Sequence, residues 1–310
     1  MQITISVIIP TYNAERYLPQ LLEKLKKQTV DFELLIIDSS SVDDTIKIAQ
    51  KYTSRIATIP QSEFDHGGTR TKAAQMTSGE IIVFLTQDAL PVDDNAIEKI
   101  VSVFDDETIG AAYGRQIPYK KTSLFGKHLR HFNYPENSHI RSLEDAERYG
   151  MKTVFLSDSF AAYRREAMDQ IGWLKDGLIN SEDSYAGAKL LLAGYRLAYV
   201  SDAIVYHSHS YTLIEEFKRY FDIGVFYNTQ RWILDRFGKV EGEGGRYVKS
   251  ELRYLRQEGA WYKIPEFFMR NGMKYLGFKL GQNYHHIPQN IIDKISMHPH
   301  WWKKESTRNN

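Results

Sequence analysis

An α/β fold with a mostly parallel central sheet flanked by helices, followed by a helical C-terminal extension, is what this 310-residue sequence predicts. Three observations carry the prediction. Short β-branched runs alternate with helical patterns, a polar cluster closes each run, and the last third becomes cationic and aromatic. Such alternation implies parallel strands joined by right-handed crossovers, with a ligand crevice at the strands' carboxyl ends.

The first strand is Ile3 to Ile9, closed by Pro10, and the second is Glu33 to Ile37, ending at Asp38. Near-continuous apolar runs suit strands covered on both faces. Between them, Leu18, Leu21, Leu22 and Leu25 recur at helical spacing within Ala14 to Gln28. Asp43 to Tyr52 predicts a second helix, Arg55 to Ile59 a third strand, Gly68 to Thr77 a helix, and Ile81 to Leu85 a strand ending at Thr86-Gln87-Asp88. Beyond Asp88, Ala96 to Phe104 predicts a helix and Ile109 to Gly114 a strand. Residues 118–152 show little periodicity and suggest an excursion or flexible loop. Ser157 to Tyr163, the helices Arg165 to Ile171 and Asp183 to Ala193, and the strand Ala198 to Val205 complete a first unit ending near residue 210.

Composition sharpens the boundary. Overall charge is +1, but residues 206–310 carry a net +6 and residues 1–205 a net −5. The same C-terminal segment holds 20 of the 40 aromatic residues. The sequence therefore divides into an α/β unit, 1–210, and a basic aromatic helical region, 211–310. Within the latter, Arg246, Lys249, Arg253 and Arg256 share one helix face, opposite Val248, Leu252 and Leu255. The absence of cysteine excludes disulfides, thiolate metal sites and cysteine nucleophiles, and suits a reducing cytoplasm. Neither a signal peptide nor an apolar run of membrane-spanning length is expected.

Three polar clusters should converge: Pro10-Thr11-Tyr12-Asn13, Asp38-Ser39-Ser40-Ser41 and Thr86-Gln87-Asp88. Helix capping alone would account for some of these residues. No Gly-x-Gly-x-x-Gly follows the first strand and no P-loop occurs, which disfavours dinucleotide redox chemistry and P-loop phosphoryl transfer. Four ordered segments, Ser6 to Asn13, Ile36 to Thr45, Phe84 to Ala89 and Ser181-Glu182-Asp183, together resemble the motifs of family 2 glycosyltransferases with a GT-A fold. His66-Gly67-Gly68-Thr69-Arg70 and Leu85 to Pro91 further resemble the rhamnosyltransferase branch, whose donor is dTDP-L-rhamnose.

The resemblance implies that 1–210 is a catalytic domain with a nucleotide-sugar-binding half (1–115) and an acceptor half (116–210), and it implies roles for single residues. Asp38 would accept from the pyrimidine N3–H, with Pro10, Thr11 and Asn13 lining the nucleoside pocket; that hydrogen bond does not distinguish dTDP from UDP. His66, Gly67, Arg70 and Gln87 would approach the diphosphate, His66 to Arg70 doing so at a helix N-terminus. Asp88 stands at the family's Asp-x-Asp motif, although Thr86 replaces the first Asp, so a divalent cation, Mg²⁺ or Mn²⁺, needs a further ligand. In Tyr206-His207-Ser208-His209, alternate strand residues share a face, and His209 is favoured as that ligand. Asp183 would be the catalytic base, with Glu182 and Asp158 on the acceptor side.

The implied activity is inverting transfer of L-rhamnose to a lipid-linked glycan on an undecaprenyl-diphosphate carrier, in cell-wall or capsular polysaccharide synthesis. Transfer of another hexose from a UDP-sugar, and a non-catalytic sugar-nucleotide scaffold, remain as alternatives. The basic aromatic third suits a peripheral position on the inner membrane face; packing on the catalytic unit or homo-oligomer formation are its other uses. A small charge excess without a recognition motif argues against nucleic acid.

Overall fold

The computed structural model describes residues 3–238 and 241–308. Its strands are β1 (Ile5–Thr11), β2 (Glu33–Asp38), β3 (Ile56–Thr58), β4 (Ile81–Leu85), β5 (Leu90–Pro91), β6 (Ile109–Ile117), β7 (His139–Arg141), β8 (Phe160–Arg164) and β9 (Arg196–Tyr206). Its helices are α1 (Leu18–Lys26), α2 (Thr45–Ala49), α3 (His66–Gln75), α4 (Ala96–Val101), α5 (Leu124–Asn133), α6 (Ala146–Tyr149) and α7 (Arg165–Ile171) in the first half of the chain. They continue with α8 (Glu182–Leu192), α9 (Leu213–Thr229), α10 (Arg231–Phe237), α11 (Glu241–Gln257), α12 (Ile264–Gln282), α13 (Gln289–Ile295) and α14 (Pro299–Arg308).

One sheet runs in the order β3-β2-β1-β4-β8-β6-β9-β5, with β7 paired to β9. β1 to β4 are mutually parallel, β8 is antiparallel to β4 and β6, and β9 is parallel to β6. The carboxyl ends of β1, β2, β4 and β9 therefore share one edge. Register levels them: Thr11 faces Asp38, and Asp38 faces Thr58. β5 returns antiparallel to β9 with Leu90 opposite Tyr206, which draws the Asp88 turn toward His207.

Both sheet faces are covered, as the continuous apolar strands require. Ile8, Leu35, Ile37, Ile82 and Phe84 pack on one face with Ala73 and Ala74 of α3. Val7, Ile9, Ile36, Val83 and Leu85 pack on the other with Leu18, Leu21, Leu22 and Leu25 of α1.

Residues 118–152, expected as an excursion, instead contain α5, β7 and α6. The reason is a distant partner. Phe125 buries against Leu255, Ala260 and Phe267, and His128 Nε2 lies 2.9 Å from Ser250 Oγ, so α5 packs its apolar face on α11. In α11, Leu255 is buried and Arg246, Lys249, Arg253 and Arg256 are exposed, as the helical spacing predicts. α9 and α12 pack together, and Trp302 of α14 enters the main core beside Phe221. No helix among the described residues is long and apolar enough to cross a membrane.

Candidate active site

The aligned strand ends open on a cavity of about 630 Å³, within the range of small-molecule sites. Pro10, Thr11, Gln87 and Asp88 line it, together with His66 and Arg70 of α3. Asp38 lies just behind this wall, fully buried. It accepts hydrogen bonds from Thr11 Oγ1 (2.8 Å), Ser41 Oγ (2.6 Å) and Ser41 N (2.8 Å). Asn13, at φ 47°, donates its N–H to Ser41 Oγ and accepts from Val42 N. Gln87 clasps the Tyr12 backbone in both directions, at 2.9 and 3.2 Å. Asp38, Asn13 and Gln87 thus hold three strand-end loops together. Ser39 presents the cavity with a buried Oγ that has no protein partner, a position suited to a ligand hydrogen bond.

The turn into α3 differs from its expected role. Asp65 caps the helix by accepting from Gly68 N (2.7 Å), so that N–H is already occupied. At Gly67 an added Cβ would lie 2.1 Å from the Lys175 carbonyl oxygen, so this glycine permits a close backbone crossing. What reaches the cavity here is side chain: His66 and Arg70.

Asp88, His207 and His209 form the cation-ready cluster, with one ligand atom from each lying within 4.8 Å of the others. Asp88 Oδ2 is 3.4 Å from His207 Nε2 and 3.8 Å from His209 Nε2. Gln116 receives Arg130 NH1 on Oε1 and donates Nε2 to Ser157 Oγ, which fixes its amide orientation. Its Oε1, 2.8 Å from His207 Nδ1, therefore requires the proton there, and the neutral ring turns the Nε2 lone pair toward Asp88. Burial lowers the pKa of His207; burial and then His207 lower that of His209 to about 4. One carboxylate and two neutral imidazoles with facing lone pairs fit a divalent cation. The sequence pattern singled out His209; the structure adds His207, oriented by Gln116 from β6, a long-range contact that spacing does not reveal.

Behind Arg70 lies a buried acidic cluster. Arg70 NH1 donates to Glu182 Oε1 (2.9 Å) and to the His66 carbonyl (2.9 Å), and its Nε is 3.6 Å from Asp158 Oδ2. Tyr163 donates to Asp158 Oδ1 at 2.5 Å. Ser181 at φ 61° turns the chain into α8, placing Glu182 and Asp183 in its first turn. Three carboxylates thus share one guanidinium. Burial, then Arg70, Glu182 and Tyr163, leave the Asp158 pKa raised to about 6; burial, then Glu182 and Asp158, push that of Asp183 well above its ordinary value. Glu182 and Asp158, expected on the acceptor side, are the partners of Arg70.

Residues 297–304 return to this site, which no pattern in the chain announces. His298, Trp301 and Lys304 line the cavity, and the His298 and His66 rings meet edge to face at 5.8 Å. Met297 N donates to Asp222 Oδ2 (2.8 Å), Trp301 Nε1 to the Gly177 carbonyl (2.9 Å) and Lys304 Nζ to the Phe64 carbonyl (3.3 Å).

A ligand cavity at the carboxyl edge of a mostly parallel sheet, beside an Asp and His cation cluster, is the architecture of GT-A glycosyltransferases. Solved structures agree at the level of fold. A mannosyltransferase from Pyrobaculum calidifontis, in complex with GDP-Man and Mn²⁺, superposes with a TM-score of 0.60 at 16% identity, covering 100% of this chain and 87% of that one. TarS residues 1–349 from S. aureus, in complex with UDP-GlcNAc, gives 0.56 at 18% identity over 99% and 89% of the two chains. The chain belongs to glycosyl transferase family 2, whose model matches residues 6–172. It is 42% identical over 301 residues, 96% of each chain, to the O-antigen chain rhamnosyltransferase RfbN of Salmonella typhimurium strain LT2. Its identity to the O-antigen chain rhamnosyltransferase WbaN of Salmonella anatum is also 42%, covering 96% of this chain and 95% of that one.

Proposed function

We propose that this enzyme transfers L-rhamnose from dTDP-β-L-rhamnose, with inversion, to a hydroxyl of a lipid-linked glycan in O-antigen or related polysaccharide synthesis. The near full-length likeness to two O-antigen rhamnosyltransferases supports the sugar and pathway class. The observation that carries the chemistry is the place of Asp183, next to Glu182 in the first turn of α8, where Glu182 binds the Arg70 that also walls the strand-end cavity.

In this reading the nucleoside lies over Pro10, Thr11 and Ser39, with Asp38 and Asn13 shaping the loops beneath it. The diphosphate lies toward His66, Arg70, Gln87 and Asp88. Asp183 takes the acceptor hydroxyl proton while that oxygen bonds to the anomeric carbon. The bond from that carbon to the phosphate oxygen breaks, and dTDP leaves with the electron pair. A general base of this kind contributes roughly 10²- to 10⁴-fold. Asp88, His207 and His209 would hold Mg²⁺ or Mn²⁺, which supplies charge neutralisation at the departing diphosphate. Glu182 and Asp158 position Arg70 and raise the basicity of Asp183.

The division at residue 210 follows the same reading. Residues 1–210 perform the transfer; residues 211–310 wall the donor cavity through the segment 297–304 and dock at a membrane. Trp261, Tyr262, Phe268, Met269, Tyr275 and Leu276 are exposed, Phe268 and Tyr275 to 65% and 64%. Beside them lie the exposed cations of α11, a combination suited to an anionic lipid interface.

The deciding experiment offers a panel of dTDP- and UDP-sugars with a synthetic lipid-linked acceptor and follows nucleotide release. Preferential turnover of dTDP-rhamnose is expected. Turnover of a UDP-hexose instead would replace the donor, and no turnover of any donor would remove the transferase reading.

A further inference from the structure

The side chains of the cation cluster come from two segments, the turn after β4 (Asp88) and the residues after β9 (His207 and His209). A third segment, from Gln116 at the end of β6 through α5, contributes none of the three yet touches both. His207, Ser208, His209 and Ser210 alternate in what they meet. The histidines meet Asp88, whereas Ser208 Oγ accepts from Tyr119 N (3.0 Å) and lies 2.6 Å from Thr122 Oγ1. Ser210 Oγ accepts from Ser123 N (2.9 Å). Tyr119 also donates its hydroxyl to the Asp88 carbonyl (3.2 Å).

α5 approaches the same place at two points one turn apart. At Gly126 an added Cβ would lie 2.5 Å from the His209 carbonyl oxygen, so helix and ligand segment meet backbone to backbone. At Arg130, NH1 donates to the Gln116 Oε1 that also accepts from His207 Nδ1. Gln116 and His207 are only 1% and 5% exposed, where a lost hydrogen bond is not made good by solvent. The helix is itself fixed to α11 through Phe125 and His128.

We propose that Gln116, Arg130, Ser208 and Ser210 are positioning residues for the divalent cation, holding both imidazoles with Nε2 toward Asp88 so that the ion meets preset ligands. This rests on the cation cluster in the proposed function. The need follows from Thr86: where Asp-x-Asp would bring two carboxylates there is one. More of the affinity then falls to neutral rings, whose orientation the protein must fix.

The test titrates the full chain with Co²⁺, which binds nitrogen-containing sites more tightly than Mn²⁺ and whose visible absorption reports its ligands. The parent chain is expected to bind it and Asp88→Ala to lose it. Gln116→Leu, and Ser208→Ala with Ser210→Ala, should each weaken binding roughly 10- to 100-fold and alter the absorption band. Arg130→Met, which frees the Gln116 amide to turn over, should act in the same direction. Gln116→Glu, which keeps an oxygen for Arg130 and for His207 Nδ1, should retain the parent affinity. These positioning variants should keep the parent thermal midpoint and metal-free dTDP affinity. Parent-like Co²⁺ binding in Gln116→Leu, Arg130→Met and the serine pair would overturn the proposal and leave the cation cluster standing. Weakened binding matched by a lower thermal midpoint would overturn it too, as the mark of bonds that only hold the fold. Co²⁺ binding indifferent to Asp88→Ala, or none by the parent, would remove the cation cluster itself and the proposal with it, so the two failures are told apart.

Discussion

Asp158, Glu182 and Asp183 surround one guanidinium, and their mutual repulsion decides when the base is ready. Asp183 accepts a proton only when ionised, so activity should rise with pH through its raised pKa. Asp158→Asn removes one neighbouring negative charge, lets Asp183 ionise earlier and should move the acidic limb of the kcat/KM profile down by on the order of one pH unit. A limb unmoved in that variant would mean that the two carboxylates do not communicate. The Ser-Glu-Asp motif made Asp183 legible, but the assignment of Glu182 and Asp158 to Arg70 was not, because the motif residues are separated by up to 112 positions. His207 shows the same limit: strand alternation places it beside His209, whereas its tautomer depends on Gln116, 91 residues away.

At the scale of elements, strands buried on both faces announced themselves, since each is an apolar run closed by a polar turn. Elements whose partners are remote did not. α5 buries Phe125 against α11 and α12, and the segment 297–304 fastens to Asp222, Gly177 and Phe64. That fastening should matter for the donor. Trp301→Phe keeps a ring in the wall but loses the hydrogen bond to Gly177, a loss of about 0.5–1.5 kcal/mol if strap and donor are coupled. Calorimetry should then show dTDP binding weakened about 2- to 10-fold, with kcat at saturating donor retained. Unchanged affinity would reduce the strap to a scaffold element.

For the molecule as a whole, the charge asymmetry along the sequence corresponds to a spatial order. The mildly acidic two-thirds supplies the sheet edge, the cation cluster and the buried carboxylates. The basic aromatic third supplies one wall of the strand-end cavity and the exposed stripe on α12. The most direct measurement compares Asp183→Asn with the parent chain in both transfer rate and dTDP affinity. The expected result is transfer reduced by roughly 10²- to 10⁴-fold with dTDP affinity nearly unchanged; undiminished transfer, or parallel loss of dTDP binding, would contradict Asp183 as the base.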